Sequence, residues 1–132
     1  MTQTARILVV DDEPDVEPMF RQKFRKEIKS DKVEFHFSLS AAEALAYLET
    51  PAAHTEATLI LSDINMPGMN GLELLRVLKE KYPTLPVFMV TAYGDDRSQQ
   101  LAESYGANGF INKPVDFKQL KQDIFNLVSV AV

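Results

Sequence analysis

The chain has 132 residues, 45% of them hydrophobic and 25% charged, a balance that suits one compact domain and excludes a disordered chain. Its 14 Lys and Arg against 19 Asp and Glu leave a net charge of −5, which argues against direct nucleic-acid binding, because such binding needs a basic footprint. The absence of cysteine excludes a disulfide framework and thiolate metal sites. The opening apolar run, Ile7 to Val10, is too short for a signal peptide and ends in acids. No window approaches the roughly 20 apolar residues of a membrane span. Together these features predict a cytoplasmic protein without a membrane contact.

In chain order, Ile7-Leu8-Val9-Val10 reads as a first strand that runs into Asp11-Asp12. Val16, Phe20, Phe24 and Ile28 recur every four residues and predict a first helix. Pro18 fits its first turn, where no amide hydrogen is needed, if Asp15 is the N-cap; a start at Glu13 would place it inside the helix and kink it. Val33 to Phe37 alternates apolar and polar residues and reads as an edge strand. Ser40 is the N-cap of an Ala- and Leu-rich helix over 41–48. Leu59 to Leu61 is a strand that runs into Ser62-Asp63. Pro67-Gly68 signals a turn, and Asn70 caps a helix on which Leu72, Leu75 and Leu78 share a face with Leu74 beside it. Val87 to Val90 is a strand ending at Thr91. The segment from Asp95 to Tyr105 reads as a helix with a polar middle, and only Leu101, Ala102 and Tyr105 offer it a buried face. Phe110-Ile111 is a fifth strand that runs into Asn112-Lys113. Asp116 caps a last helix carrying Phe117, Leu120, Ile124, Leu127 and Val128 at helical spacing.

Continuous apolar runs of this length suit strands buried on both faces, as in a parallel sheet. Five strand-helix units in alternation imply parallel strands joined by right-handed crossovers. The expected fold is α/β, a doubly wound five-stranded parallel sheet of flavodoxin-like (βα)5 type with strand order 2-1-3-4-5. A barrel would need eight such units. Residues 1–132 are expected to form a single domain with its core over about 6–128. The chain ends soon after the last helix, which leaves no room within it for a DNA-binding or catalytic output domain.

Ligands of such a sheet bind at the carboxyl ends of the strands, near the point where strand order reverses. Strands one and three flank that point and end in Asp11, Asp12 and Asp63; strands four and five end at Thr91 and Lys113. These five residues should converge on one cleft. Three carboxylates and one ammonium suit Mg²⁺, which takes oxygen ligands and often a phosphoryl oxygen. A further oxygen would come from a backbone carbonyl just after Asp63, with Asn65 the candidate. Zinc is disfavoured, since only His36 and His54 are available beside the absent cysteines. A carboxylate beside Mg²⁺ is a nucleophile toward phosphorus. Lys113 and the Thr91 hydroxyl would then each bind one oxygen of the transferring group, where positioning and charge neutralisation do most of the catalysis.

Asp11-Asp12 after a first hydrophobic strand, Leu61-Ser62-Asp63-Ile64-Asn65-Met66-Pro67-Gly68-Met69-Asn70-Gly71, Val90-Thr91-Ala92 and Gly109-Phe110-Ile111-Asn112-Lys113-Pro114 together resemble the bacterial response-regulator receiver family. The resemblance runs from about Ile7 to Val128, with each piece ending a strand in the right order. It implies that Asp63 is the phosphoacceptor, that Asp11 and Asp12 hold Mg²⁺ with Asp12 the more direct ligand, and that Asn65 gives the metal its backbone carbonyl. It implies that Thr91 moves toward the phosphoryl group, that Lys113 binds it, and that Phe110 is the aromatic switch. It also implies a cis peptide between Lys113 and Pro114. The implied donor is a phosphohistidine on a sensor histidine kinase or a histidine phosphotransfer protein. The implied role is that of a switch rather than a turnover enzyme, with residues 91–117 rearranging to signal to a partner or output domain; homodimerisation on phosphorylation is left open. Pro18 and the somewhat longer stretches Lys26 to Lys32 and Thr50 to Thr58 depart from the family's usual pattern, away from the site.

Two rival chemistries are considered. A haloacid-dehalogenase-type phosphohydrolase, which also forms an aspartyl phosphate, places its nucleophile after strand one in an Asp-x-Asp pattern, whereas this chain reads Asp11-Asp12-Glu13 and has no cap insertion. A flavodoxin would need a Ser-, Thr- and Gly-rich phosphate loop after strand one, where these acids would repel a phosphate. Among simpler roles, Asp11, Asp12 and Asp15 would each suit a helix cap. His36 and His54 are read as structural, Met66 and Met69 as packing, and Arg21 to Lys29 as a solvated helix face.

Overall fold

Why do the apolar runs become central strands? Along each one, successive side chains point to opposite faces, and here both faces are covered. Leu8, Val10, Ile60, Val87 and Met89 belong to one buried cluster, and Ile7, Val9, Leu59, Leu61, Val90 and Ile111 to a second. The computed structural model describes residues 4–50, 53, 57–66, 70–92 and 95–130. Its elements are β1 (Ala5–Val10), α1 (Val16–Lys23), α2 (Arg25–Lys29), β2 (Val33–Ser38), α3 (Ala41–Leu48), β3 (Leu59–Asp63), α4 (Gly71–Lys81), β4 (Val87–Ala92), α5 (Asp96–Ser104), β5 (Gly109–Lys113) and α6 (Phe117–Val130). The five strands pair in parallel in the order β2-β1-β3-β4-β5, the doubly wound arrangement that the alternation predicts. The expectations for His54, Pro67-Gly68, Met69 and the Val128 side chain lie outside the described residues.

The helices divide between the two faces. Residues of α3, α4 and α5 (Ala44, Leu48, Leu74, Leu75, Leu78 and Ala102) complete the first cluster, and Phe20, Phe24, Leu120 and Ile124 of the α1–α2 region and α6 complete the second. Caps fix where the helices begin. The Ser40 side chain accepts the Glu43 N–H at 3.1 Å and Asn70 accepts the Glu73 N–H at 3.0 Å. Asp116 accepts the Lys118 and Gln119 N–H groups at 3.1 and 3.2 Å. Each such bond satisfies one of the donors a helix start leaves free. Gly106, at φ 98°, takes the left-handed conformation that ends α5, and the Ala107 N–H returns to the Ala102 carbonyl at 3.0 Å.

Two expectations are corrected. The single helix spanning Val16 to Ile28 is two segments, interrupted at Phe24 (φ −104°, ψ 18°). Pro18 is not the cause, because it is the third residue of α1, where its missing N–H would have had no helical partner. Asp15 does precede the helix, but its side chain makes no capping bond. Phe24 is fully buried, in edge or stacked contact with Phe20, Phe35 and Phe117. Packing of that ring holds the backbone locally off helical geometry, while the Ile28 N–H still reaches the Phe24 carbonyl at 2.9 Å. The second correction concerns α5. Only Ala102 of this helix is buried, and Leu101 and Tyr105 are each 39% exposed, so α5 buries little apolar surface against the sheet.

Candidate functional site

The sheet register brings the chemistry together. Val10 pairs with Ser62, Asp63 with Val90, Thr91 with Asn112 and Ala92 with Lys113, so the carboxyl ends of four strands abut at one edge. Asp11, Asp12 and Asp63 each present a carboxylate oxygen, and these oxygens lie within 4.8 Å of one another. Asp63 is buried, at 4% exposure, and its Oδ2 accepts the Lys113 ammonium at 3.2 Å. Its Oδ1 accepts the Asn65 N–H at 3.4 Å. Asp11 Oδ1 accepts the Glu13 N–H at 3.0 Å, a local turn that holds the carboxylate at the end of β1. The Lys113–Pro114 peptide is cis, as expected.

The electrostatics follow from that crowding. Burial raises the Asp11 carboxyl above its ordinary value of 3.8; the Glu13 N–H opposes this, and the neighbouring Asp63 charge adds to the rise. Partial burial by itself lowers the Lys113 ammonium, but the attraction and hydrogen bond of Asp63, with the charges of Asp11 and Glu13, outweigh it and leave the net shift upward. One ammonium thus faces several carboxylates. The all-oxygen donor set and its excess negative charge fit a hard divalent cation such as Mg²⁺.

Other residues frame the site. Gly71 opens α4 directly beneath Asp63: a Cβ there would lie 2.1 Å from the Asp63 carbonyl oxygen and 2.6 Å from the Ile64 Cα, and the Gly71 N–H donates to the Ile64 carbonyl at 2.7 Å. Only glycine admits so close an approach of helix to strand. Thr91, 1% exposed, donates its hydroxyl to Asn112 Oδ1 at 2.9 Å. A cavity of about 270 Å³ opens beside Asp63 and Lys113, walled by Val16, Met19, Pro114 and Phe117. Phe110 is half-buried against the first cluster and borders a groove with Asn112 and Lys113. Met66 is buried, in keeping with its reading as packing, and His36 stacks on Tyr47 with ring centroids 3.7 Å apart. Sequence reasoning missed Gly71, Asn112 and the Tyr47 partner of His36. The Asn70-Gly71 pair was visible as a helix start, but the contact that demands glycine was not.

Comparison with known proteins agrees with this geometry. Residues 7–125 match the response regulator receiver domain model, and the chain belongs to that family of two-component signalling switches. It is 34% identical over 124 residues to the glycerol metabolism activator of Pseudomonas putida, covering 94% of this chain and 54% of that protein. It is 32% identical over 117 residues to the response regulator protein PilR of Pseudomonas aeruginosa, covering 89% of this chain and 24% of that one. The chain therefore spans about half or less of the length of these curated relatives. Among solved structures, a response regulator receiver domain protein from Clostridium thermocellum superposes with a TM-score of 0.81 at 27% identity, over 96% of each chain. The matched family is neither the haloacid-dehalogenase nor the flavodoxin family. Among the described residues, no helix is long and apolar enough to cross a membrane.

Proposed function

We propose that this chain is a cytoplasmic, Mg²⁺-dependent phosphoacceptor switch that takes a phosphoryl group on Asp63. The observation that carries the reading is a buried Asp63 paired with Lys113 at 3.2 Å and grouped with Asp11 and Asp12 within 4.8 Å. Asp11, Asp12, Asp63 and the Asn65 carbonyl would hold the metal. Mg²⁺, when bound, neutralises charge on a phosphoryl oxygen. One Asp63 carboxylate oxygen bonds to phosphorus as the bond from phosphorus to the donor imidazole nitrogen breaks, and the imidazole leaves. Lys113 neutralises a second phosphoryl oxygen, and the Thr91 hydroxyl donates to a third. The donor is a phosphohistidine of a sensor histidine kinase or histidine phosphotransfer protein, and the cavity walled by Met19 and Pro114 is its route to Asp63. The chain does not turn over a substrate; it assists its own phosphorylation and dephosphorylation, and it binds no nucleic acid directly.

Signalling follows from where burial is thin. Movement of Thr91 toward the phosphoryl group frees space beside β5, which Phe110 fills by changing rotamer. Helix α5, whose one buried residue is Ala102, shifts at low cost, and a partner, an output domain or a second copy reads the altered face. The change is a shift between two populations. Intact mass after acetyl phosphate treatment should show one added phosphoryl group with Mg²⁺ and none with chelator. Hydrogen exchange with beryllium fluoride and Mg²⁺ should change most over residues 91–117. Uptake that ignores chelation would defeat the metal-dependent reading.

A further inference from the structure

Thr91 cannot serve two acceptors at once. Its hydroxyl carries one proton, and in this structure that proton is donated to Asn112 Oδ1 at 2.9 Å. The two residues face each other across the β4–β5 ladder, so the pairing is built into the register of the sheet. Asn112 stands next to Lys113, and neighbouring side chains on a strand point to opposite faces. Two adjacent residues of β5 nevertheless hold both polar arms of the site: Lys113 on the Asp63 carboxylate and Asn112 on the Thr91 hydroxyl.

The environments of the two partners are unequal. Thr91 is 1% exposed and among the described residues its hydroxyl is bonded to Asn112, so loss of Asn112 leaves that buried hydroxyl without this bond. Asn112 is exposed, so water replaces the bond from its side once Thr91 leaves. Breaking the pair is therefore unfavourable on the Thr91 side unless another acceptor takes the proton. A phosphoryl oxygen on Asp63 is such an acceptor.

We propose that Asn112 is a positioning residue that latches the Thr91 hydroxyl outward and so sets the threshold of the switch. The inference rests on the reading of Asp63 and Thr91 given above. Phosphorylation exchanges one hydrogen bond of Thr91 for another, and the strength of the Asn112 bond fixes how far the unphosphorylated chain lies toward the outward state. Loss of the latch shifts the population inward before any phosphoryl group arrives.

The test is the apparent affinity for beryllium fluoride in saturating Mg²⁺, measured by titration on wild type, Asn112→Leu, Asn112→Val, Thr91→Ala and the Asn112→Leu/Thr91→Ala double variant. Release of one hydrogen bond should tighten binding by about three- to tenfold in both Asn112 variants. The same Asn112→Leu change should have no effect in the Thr91→Ala background, because no hydroxyl remains to be latched. That coupling is what a merely structural role would not produce. The use of two release variants, each checked by thermal melting, guards against one that folds poorly. Equal affinity in wild type and both Asn112 variants overturns the latch while leaving Asp63 as acceptor. An Asn112 effect that persists undiminished without Thr91 overturns it as well. A wild type that binds no beryllium fluoride overturns the latch together with the reading of the site on which it rests.

Discussion

Replacing Gly71 by alanine perturbs the site through backbone alone. The new Cβ would lie 2.1 Å from the Asp63 carbonyl oxygen, and helix α4 must retreat from β3 by about 1.3 Å to reach the 3.4 Å at which ordinary contact begins. No flexible side chain can absorb this, because the three nearest atoms are all backbone of Asp63 and Ile64. Overpacking of this kind costs about 1–3 kcal/mol. Stretching the 2.7 Å bond from the Gly71 N–H to the Ile64 carbonyl adds about 0.5–1.5 kcal/mol. Better helix propensity of alanine returns at most about 1 kcal/mol. The net loss of about 0.5–3.5 kcal/mol should lower Tm by about 2–13 °C. Asp63 would move with its carbonyl, and a displacement near 1 Å at a reacting group costs on the order of 100-fold in rate. The assay is a pair of measurements, the thermal melt and the initial rate of acetyl phosphate uptake by intact mass. Gly109→Ala is the control: its Cβ would meet the Phe88 ring at 2.9–3.0 Å, which a side chain can relieve, so uptake should be retained. A Gly71→Ala protein that melts and reacts like wild type would refute the claim that the close approach of α4 positions Asp63.

Mg²⁺ should stabilise the fold, since Asp11, Asp12 and Asp63 crowd together with Lys113 their cation; at ten times its dissociation constant it adds about 1.4 kcal/mol, Asp12→Ala should lose the effect, and a wild-type melt indifferent to millimolar Mg²⁺ would contradict it. The raised Asp11 carboxyl means that the native chain holds that proton more tightly than the unfolded chain, so this group's contribution falls as pH rises from below 3.8 through its raised value. In chelator, Asp11→Asn should therefore gain stability relative to wild type across that rise, as read from urea midpoints at a series of pH values; a wild-type advantage that grows with pH would reverse the sign. Phe24→Ala should cost about 3–5 kcal/mol in urea denaturation, because the ring is fully buried among Phe20, Phe35 and Phe117; a loss below 1 kcal/mol (about one CH₂ of burial) would mean the aromatic cluster is not a core.

The sheet was legible because its inner strands are buried on both faces, so Ile7 to Val10 and Leu59 to Leu61 read as unbroken apolar runs. The strand-end acids were legible for a topological reason: parallel order 2-1-3-4-5 places Asp11, Asp63, Thr91 and Lys113 at one edge whatever the details of packing. Features set by tertiary contact were not legible. The break at Phe24 coincides with ring contacts from the next element, through Phe35 of β2, and from the far end of the chain, through Phe117 of α6. The exposure of Leu101 and Tyr105 reflects how little of α5 touches the sheet, and helical spacing alone assigns them to the buried side. The Thr91–Asn112 bond needs the β4–β5 register, and the demand for glycine at 71 needs the distance from α4 to the end of β3. Neither leaves a mark in the local pattern.

The central claim is that Asp63 itself carries the phosphoryl group. Reduction of an acyl phosphate with sodium borohydride converts the modified aspartate to homoserine, which peptide mapping locates by mass. After acetyl phosphate and Mg²⁺ treatment, homoserine should appear at position 63 alone, and the Asp63→Asn protein should yield none. Homoserine at position 11 or 12 in the wild-type chain, or at any position in Asp63→Asn, would contradict the account.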